Sequence, residues 1–446
     1  MIRRKFYLAA LFTIAAWIGL TACSKEPKQQ EPVTLKVLSW NERIFYERYG
    51  NVFLATHPNY DLDVISMMDY IEPGENLNNA IERITVSESP DILSLTMDYY
   101  SVLQEKDLLE PLSPFIQKDK LDLTTFTPSV LDFLQNEQSE LFGLAPTFTG
   151  KALFYNKKLF NEQQIAEPTD FMTWDEVFAL AQRFPQNTGD QLPLYSFYYR
   201  EMSPPFFMAA LTIGESSGLT LYTNGTFTLN TEGWNDVFRN VIECVQAKSC
   251  YGYSDFTSND AIVMEADRYP FLQGNIAMAV EDSNLFNVLK NNSKYKDLDW
   301  GIVSYPVTAQ YPDTGNTLEL NEIFAISANS GQTDAAWEFL SYISSDDYLR
   351  MLHRLIPDEL PAHMVDQEQL DPDVAAFYKL KHVNSSMTNN LRALPTPVVL
   401  KIDELSSNYL SEVLAGSMAL DEALQALETE LQHILNENIK QDPAEP

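Results

Sequence analysis

The stretch from residue 33 to residue 95 alternates strand-like and helix-like patterns, and this alternation restricts the possible fold more than any other feature of the chain. In the strand-like segments apolar residues recur at every second position or form a short run, whereas in the helix-like segments they recur every three or four residues. The strand-like segments span 33–40, 62–67 and 91–95, and the helix-like segments between them span 43–55 and 76–84. Strands that alternate with helices form a parallel sheet, so we expect an α/β protein.

Two of the predicted strand ends carry side chains suited to a ligand. Trp40 and Asn41 follow the first strand, and Asp98 and Tyr99 follow the third. Ligands of parallel sheets bind beyond the carboxyl ends of the strands, and ligand pockets combine aromatic faces with a few polar groups. We therefore predict that these four residues contact a ligand. The alternatives are core packing for Trp40 and a solvated loop acid for Asp98.

The N-terminus has the pattern of a bacterial lipoprotein signal. Basic residues over 3–5 precede an apolar run over 6–20, which is short for a membrane span of about 20 residues. The sequence Leu-Thr-Ala-Cys that ends at Cys23 is typical of a lipobox. We predict a signal peptide over 1–22, lipidation of Cys23 and a polar tether over 23–32, so that the membrane is contacted only through the lipid. The alternative is an ordinary signal peptide with an incidental cysteine.

The charge balance argues against nucleic-acid binding. The chain has 63 acidic and 30 basic residues, which gives a formal net charge of -33 at pH 7. A protein that binds the phosphate backbone needs a dense basic surface, and docking on anionic lipid by charge needs one too. The acidic excess agrees better with a neutral or cationic small ligand.

The sequence offers little catalytic or metal-binding chemistry. It contains no His-Glu-x-x-His motif, no P-loop and no Gly-x-Gly-x-x-Gly motif, and it has only 5 histidines. We expect no enzyme activity, no cofactor and no metal. A glycosidase pair of carboxylates, distant in the chain, stays an alternative because the acids are numerous.

Besides Cys23, the predicted mature chain contains two cysteines. Cys244 and Cys250 lie close together near a predicted helix end, and outside the cytoplasm they could form a disulfide. Two unpaired, partly buried thiols are the alternative. Two cysteines do not complete a tetrahedral zinc site.

A series of short motifs runs in a fixed order along the chain. The motifs are Pro-Asp-Ile at 90–92, Leu-Leu-Glu-Pro-Leu at 108–112, Leu-Phe-Gly-Leu-Ala-Pro at 141–146, Ala-Leu-Phe-Tyr-Asn-Lys-Lys-Leu-Phe at 152–160, Thr-Trp-Asp-Glu at 173–176, Phe-Leu-Gln-Gly-Asn-Ile-Ala-Met at 271–278 and Ala-Ala-Trp-Glu-Phe-Leu at 335–340. In order and spacing they resemble the family 1 extracellular solute-binding proteins, the sugar-type receptors of ABC importers, which include the maltodextrin-binding proteins. The resemblance runs from about 33 to 439, although Asp107 stands where that family usually has glycine.

The resemblance implies the type II fold of periplasmic binding proteins. This fold has two discontinuous α/β lobes joined by a hinge, and the ligand lies in the cleft between them. We expect one lobe over 33–144 and 320–359 and the other over 145–319 and 360–446. The chain would cross between the lobes near 143–149, 318–322 and 360–361, and the lobes would close over the ligand.

The resemblance also implies further ligand-binding residues. They are Thr147 and Phe148 at the first crossing, Phe206 and Phe207 after Pro204-Pro205, and Glu281 and Asp282 at a strand end. Hinge packing is the alternative for the first pair, and packing under a loop is the alternative for the second. Asn284 and Asp403 stand where maltodextrin-binding relatives have stacking tryptophans, which implies less stacking and more hydrogen bonding or charge.

Together these observations predict a lipid-anchored, monomeric receptor that delivers a small ligand to an ABC transporter permease. A mono- or oligosaccharide is the favoured ligand. Three alternatives stay open: a polyamine or other cationic solute in the same fold, a sensor subunit that presents its ligand to a signalling receptor, and a surface glycosidase.

Overall fold

The computed structural model describes residues 32–72, 75–185, 194–200, 206–251, 265–363, 372–383 and 394–441. The predicted signal peptide, Cys23 and nearly all of the predicted tether lie outside the described residues.

The described residues form strands, helices and short turns of other helical types. The strands are β1 Val33–Ser39, β2 Tyr60–Ser66, β3 Ile92–Leu95, β4 Gly143–Leu144, β5 Thr147–Asn156, β6 Tyr195–Tyr199, β7 Tyr222–Thr223, β8 Thr226–Phe227, β9 Ile276–Asp282, β10 Trp300–Ser304, β11 Thr314–Gly315, β12 Leu318–Glu319, β13 Ile323–Ile326, β14 Leu360–Pro361 and β15 His382–Val383. The α-helices are Glu42–Phe45, Asn51–Thr56, Leu77–Glu88, Met97–Glu105, Ser113–Asp119, Pro128–Leu134, Lys157–Gln163, Trp174–Ala181, Phe207–Ser216, Glu232–Gln246, Glu265–Arg268, Ser283–Asn291, Thr333–Ile343, Asp346–Leu355, Thr396–Leu414 and Leu420–Gln441. Turns of 3-10 helix lie at Met67–Asp69, Leu123–Thr125, Pro270–Gln273, Ser293–Tyr295 and Pro372–Tyr378.

The first sheet has five strands in the order β2-β1-β3-β13-β4. β1 runs parallel to β2 and to β3, with Leu35 opposite Leu62 and Val37 opposite Ile92. β13 is antiparallel to its neighbours β3 and β4. The parallel strands and the helices between them confirm the α/β alternation predicted for residues 33–95.

The first predicted helix contains an irregularity that the sequence pattern does not show. The segment from Glu42 to Thr56 is helical throughout, but the turn Tyr46–Gly50 has π-helical hydrogen bonding. Phe45, Tyr49 and Phe53 are buried along one side, whereas Ile44, an apolar residue of the same segment, is 43% exposed. Turns of π-helix are frequent at functional sites because they shift which side chains face inward.

The second sheet is built around β5, with the strand order β10-β5-β9-β6. β10 and β9 are antiparallel to β5, so Ser304 and Glu281 lie on either side of Ala152. β6 is parallel to β9. The short strands β12 and β14 also pair with β5, nearer to its beginning.

Three segments connect the two sheets. The chain passes from β4 to β5 through Ala145 and Pro146, and it returns between β12 and β13. After the helix Asp346–Leu355 it reaches β5 again at β14, where Leu360 pairs with Phe148. All three segments therefore converge on the first residues of β5.

Buried apolar side chains form two clusters that are separated by the second sheet. Phe154 of β5 belongs to the first cluster, whereas its neighbours Leu153 and Tyr155 belong to the second. The first cluster continues into the first sheet, where it includes Leu35 and Phe324. The alternation along β5 is that of a strand with both faces covered.

Two local features stabilise the ends of helices in the second cluster. The helix Trp174–Ala181 begins with a capping box, because Glu176 N donates to Thr173 Oγ1 at 3.2 Å and Thr173 N donates to Glu176 Oε2 at 2.8 Å. Cys244 and Cys250 are joined by a disulfide, with their Cα atoms 5.3 Å apart. Cys250 pairs with Phe197 of β6 through backbone hydrogen bonds of the β type, so the disulfide joins the end of the helix Glu232–Gln246 to the edge of this strand.

Within the ranges given above, none of the helices combines the length and the apolar character that crossing a bilayer requires.

Candidate functional site

The carboxyl ends of β1, β2 and β3 surround a cavity of about 380 Å³. Its lining combines apolar, amide, hydroxyl and charged side chains: Ser39, Trp40, Asn41, Ile44, Arg48, Met67, Ser94, Leu95, Thr96, Tyr99, Asn321 and Glu322. The cavity lies where the strand-end rule for parallel sheets places a ligand. Three of the residues predicted from the sequence, Trp40, Asn41 and Tyr99, are among those that line it.

Trp40 and Tyr99 form an aromatic surface at this cavity. Their rings are stacked with centroids 6.4 Å apart and an interplanar angle of 20°. Trp40 is 43% exposed, whereas Tyr99 is only 9% exposed and supports it from behind. An exposed ring held in place by a buried one suits contact with the C–H face of a sugar.

The other predicted residues of the first sheet have local structural roles. Asn41 Oδ1 accepts a hydrogen bond from Ile44 N at 3.1 Å and caps the helix Glu42–Phe45. Asp98 lies in the first turn of the helix Met97–Glu105 and is not one of the residues that line the cavity.

Arg48 and Glu322, two charged residues that the sequence reasoning did not select, also line the cavity. The guanidinium of Arg48 donates to Glu359 through Nη1 at 2.9 Å and Nη2 at 2.6 Å, and its Nε lies 3.2 Å from Glu322 Oε2. The Tyr49 hydroxyl donates to Glu322 Oε2. Burial raises the pKa of the Glu322 carboxyl, and the neighbouring Glu359 raises it further against the opposing effect of Arg48.

Thr147 and Phe148, which were predicted to contact the ligand, lie at the junction of the connecting segments. Thr147 is 3% exposed, and its hydroxyl donates to Glu359 Oε2 at 2.5 Å. Phe148 is fully buried and packs edge-on against Tyr378, with ring centroids 5.2 Å apart. Neither residue is among those that line the cavity.

Glu281 and Asp282 lie at the carboxyl end of β9, the strand that pairs with β5. Asp282 is opposite Lys151 of β5. Two residues earlier on β5, the Thr149 hydroxyl accepts a hydrogen bond from the cavity residue Asn321 at 3.2 Å. Two residues of a strand span about 7 Å. Neither Glu281 nor Asp282 is among the residues that line the cavity.

The carboxyl group of Glu281 is buried, and only one of its two oxygens lies near a charged partner. Arg200 Nη2 lies 3.4 Å from Glu281 Oε2, while Glu281 Oε1 is buried without a hydrogen-bond partner among the described residues. Burial raises the pKa of Glu281 to about 8, with Arg200 opposing the rise and Asp282 adding to it. Such a group is a candidate for hydrogen bonding to a ligand.

Four further residues with a predicted bearing on the ligand do not line the cavity: Phe206, Phe207, Asn284 and Asp403. Phe206 and Phe207 are 6% and 0% exposed and belong to the second apolar cluster. Asn284 N donates to Asp282 Oδ1 at the start of the helix Ser283–Asn291, and Asp403 is exposed on the helix Thr396–Leu414. The structure therefore does not bring these four side chains to the cavity.

Residues 214–218 have the Gly-x-Ser-x-Gly pattern that hydrolases use for a nucleophilic serine. Ser216 ends the helix Phe207–Ser216, is 1% exposed and donates its hydroxyl to Thr212 O at 2.7 Å. A nucleophile elbow needs an exposed serine between a strand and a helix. The surroundings of Ser216 do not have that geometry.

We found no group of three or more His, Cys, Asp or Glu side chains arranged to hold a metal ion in the described ranges. The cavity residues are instead suited to a small organic molecule with hydroxyl groups, because they combine an aromatic face with hydrogen-bonding side chains.

Two sheets joined by three connecting segments, with a cavity at the strand ends beside the connections, define a ligand-binding protein of the two-lobe class. The family model described as bacterial extracellular solute-binding protein matches residues 51–373. The chain belongs to this family, whose members are solute-binding proteins.

Solved structures of known proteins share the fold. The sugar-binding protein MalE from Xanthomonas citri is 17% identical, with a TM-score of 0.66 over 93% of this chain and 100% of that chain. A sugar transporter from Rhizobium etli in an open conformation is 16% identical, with a TM-score of 0.65 over 90% of this chain and 99% of that one. An ABC substrate-binding protein from Listeria monocytogenes in complex with cycloalternan is 18% identical, with a TM-score of 0.57 over 91% and 100%. These similarities confirm the two-lobe fold.

The unusual pKa of Glu281 leads to a pH-dependent effect on stability. The folded-state pKa of about 8 lies above the ordinary value of 4.5, so the unfolded chain holds fewer protons than the folded one between these two values. The contribution of Glu281 to the free energy of unfolding is therefore complete below about pH 4.5 and is lost as the pH rises towards 8. Urea unfolding of the wild type and of Glu281→Gln across this range measures the difference, because glutamine does not titrate.

We expect the wild type to lose stability relative to Glu281→Gln as the pH rises. Asp358→Asn, which removes a carboxylate whose Oδ1 accepts a hydrogen bond from Asn287, is a control that leaves the β9 acids intact. A difference between the wild type and Glu281→Gln that does not change with pH would show that Glu281 has an ordinary pKa.

Proposed function

We propose that this protein is an extracytoplasmic receptor for an uncharged or amine-bearing carbohydrate and delivers it to an ABC importer. The observation that carries the proposal is the exposed Trp40 ring, stacked on Tyr99, beside a cavity lined by hydroxyl, amide and carboxylate groups. Aromatic faces bind the apolar face of a sugar ring, while the polar groups bind its hydroxyls.

The solved structures support the same ligand class. The relatives from Xanthomonas citri and Rhizobium etli are named as a sugar-binding protein and a sugar transporter, and the one from Listeria monocytogenes was solved with cycloalternan. At 16–18% identity, they share the fold with this chain but do not determine its ligand.

The delivery step would depend on hinge closure. We assign 33–144 and 320–359 to one lobe and 145–319 and 360–446 to the other, with Trp40 and Tyr99 on the first wall of the cleft and Glu281 and Asp282 on the second. A ligand that contacts both walls binds the closed state more tightly than the open state, and this difference would let a permease recognise the loaded receptor. The receptor would act as a monomer and make or break no covalent bond.

The paired charges near the cavity narrow the ligand class. Arg48 is bonded to Glu322 and Glu359, and Arg200 is paired with Glu281 next to Asp282. Among the described residues, each of these two clusters thus contains one arginine and two acidic side chains. An acidic ligand would have to displace a carboxylate from an arginine, whereas a neutral or amine-bearing one would not.

A cationic solute is the second candidate, because Glu281 Oε1 is buried without a partner among the described residues. A ligand ammonium that reached this oxygen would stabilise the ionised carboxylate. The sensor role would differ only in the partner that receives the ligand.

A thermal unfolding screen tests the ligand class. We expect maltotriose, cellotriose or the amine-bearing chitosan trimer to raise the unfolding temperature and the acidic trigalacturonate to leave it unchanged, because the arginines are already paired. Ligand at 100 times its Kd adds about 2.7 kcal/mol to the free energy of unfolding.

Stabilisation by trigalacturonate alone would contradict the proposed class of carbohydrate. Stabilisation by spermidine and by none of the sugars would replace the carbohydrate receptor with a receptor for cations. Release of shorter sugars during the incubation would identify a glycosidase instead.

The binding surface is tested by removing its exposed ring. We expect Trp40→Ala to raise the Kd for the stabilising trisaccharide about tenfold, which corresponds to about 1.4 kcal/mol. The matched control is Phe171→Ala, because Phe171 is 45% exposed and lies outside the cavity. Equal Kd values for Trp40→Ala and the wild type, measured by calorimetry, would show that the ligand binds elsewhere.

We also propose that Cys23 carries the lipid anchor, as its lipobox sequence indicates. In a bacterial host we expect the wild type to fractionate with membranes and its mature N-terminal peptide to have the mass of an acylated cysteine. Cys23→Ser removes the acylated residue and should appear in the soluble fraction or as uncleaved precursor. The control is Ser24→Ala. Identical fractionation of all three proteins and an N-terminal peptide without acyl chains would contradict the anchor.

A further inference from the structure

Arg48 has an unusual position for an arginine on a helical segment. It lies in the turn Tyr46–Gly50 beside the buried residues Phe45 and Tyr49, and its side chain is only 19% exposed. It lines the ligand cavity. The same side chain therefore belongs both to the cavity and to the buried contacts behind it.

The carboxylates bound to Arg48 come from two of the segments that connect the sheets. Glu322 lies directly before β13, in the segment that returns from β12. Glu359 lies directly before β14, at the third connection. Both carboxylates are distant in sequence from the residues that bind them. Glu359 is 311 residues from Arg48, and Glu322 is 273 residues from Tyr49.

The first connecting segment joins the same cluster. Thr147, the first residue of β5, donates its hydroxyl to the Glu359 oxygen that Arg48 Nη2 also contacts. The cluster is completed by Tyr348, whose hydroxyl donates to Arg48 O at 2.7 Å, and by His353, whose Nδ1 lies 3.2 Å from Glu359 O. One guanidinium is thus linked, directly or through Glu359, to all three connections.

We propose that Arg48 is a positioning residue that sets the angle between the two lobes and couples this angle to occupancy of the cavity. The inference goes beyond the proposed function and rests on it for the coupling to ligand. It does not rest on it for the control of the angle, because the contacts that fix Arg48 are all within the chain.

The physical basis is the fixed geometry of a bidentate pair. A planar guanidinium and a carboxylate tolerate little change in their relative orientation. By the lobe assignment above, Arg48, Glu322 and Glu359 lie in one lobe. Thr147 lies in the other, so its hydrogen bond to Glu359 crosses between the lobes. The bidentate pair with Arg48 fixes the Glu359 carboxylate, and rotation is therefore restricted to angles that keep Thr147 bonded to it.

Coupling to ligand follows from the shared cavity. Arg48 and Glu322 both line it, so a hydroxyl group bound there would contact the same groups that restrict the hinge. A ligand shifts a conformational equilibrium only by its difference in affinity for the two states. Contact with the cluster provides such a difference.

The test measures the distance between the lobes directly. Nitroxide labels at Val86→Cys and Leu400→Cys, in a chain that also carries Cys23→Ser, report this distance because both positions are exposed, at 54% and 70%, on helices assigned to different lobes. We expect Glu359→Gln and Arg48→Lys to broaden the distance distribution of the protein without ligand. In Glu359→Gln the side chain keeps its size but loses its charge. In Arg48→Lys the side chain keeps its charge but loses the two parallel N–H donors of the guanidinium.

The matched control is Arg43→Lys on the same helical segment. Arg43 is 76% exposed and pairs with Glu47 at the surface, so its replacement should leave the distribution unchanged. Thr147→Val, which removes only the hydroxyl donor to Glu359, is a milder variant if Arg48→Lys does not fold. Circular dichroism and the thermal midpoint separate a loosened hinge from loss of folding.

The affinity of the same variants tests the coupling. For whichever of maltotriose, cellotriose and the chitosan trimer binds the wild type, we expect Glu359→Gln to raise the Kd at least fivefold, because a looser hinge loses more freedom on closing. Distance distributions as narrow as that of the wild type in Glu359→Gln, Arg48→Lys and Thr147→Val would overturn the proposal.

The two proposals fail in different ways. Broadened distributions with an unchanged Kd for a bound trisaccharide would overturn the coupling. Broadened distributions with no binding of any trisaccharide to the wild type would contradict the carbohydrate receptor and leave Arg48 as the residue that sets the lobe angle.

Discussion

The strand β5, Thr147–Asn156, provides the hydrogen bonds on which the rest of the architecture depends. Its first residues pair with β12 and β14, and its later residues pair with β9 and β10. Buried N–H and C=O groups of a connecting segment need partners, and a segment between two sheets has few to choose from. By pairing two connections with the start of β5, the chain satisfies these groups at the place where it passes between the lobes.

The side chains at this junction add a second constraint, which is electrostatic. Arg48, Glu322 and Glu359 are largely buried, and removing charges from water costs several kcal/mol per ion unless their geometry is good. The bidentate pair of Arg48 with Glu359 and the hydroxyl donors Tyr49 and Thr147 meet that condition. Replacing a buried ion pair with apolar residues is often neutral or stabilising. The arrangement is therefore better explained by the fixed geometry it gives the connections than by any gain in stability.

The sequence predicts the first wall of the site better than the rest of it. The alternation of strands and helices locates Trp40, Asn41 and Tyr99, because the rule that ligands bind at strand ends needs only local patterns. Glu322 and Glu359 could not be found in this way, because their partners lie in a distant part of the chain. One signal for Arg48 does exist: it is a charged residue next to the buried positions of an amphipathic helix. The aromatic pair Phe206 and Phe207 shows the opposite difficulty, since the same residues suit a ligand wall and a core, and only their burial distinguishes the two.

The charge of the site and the charge of the whole chain have different consequences. The formal net charge of -33 is a sum over many solvated groups, whose effects beyond about 8 Å are screened at physiological salt. Glu281 and Glu359 are buried and Glu322 is half-buried, and interactions of buried charges are screened much less. An acidic ligand would find Arg48 and Arg200, the arginines that could attract it, already paired with these carboxyl groups. Discrimination against acidic ligands would therefore persist at high salt, whereas long-range attraction of cations by the surface would not.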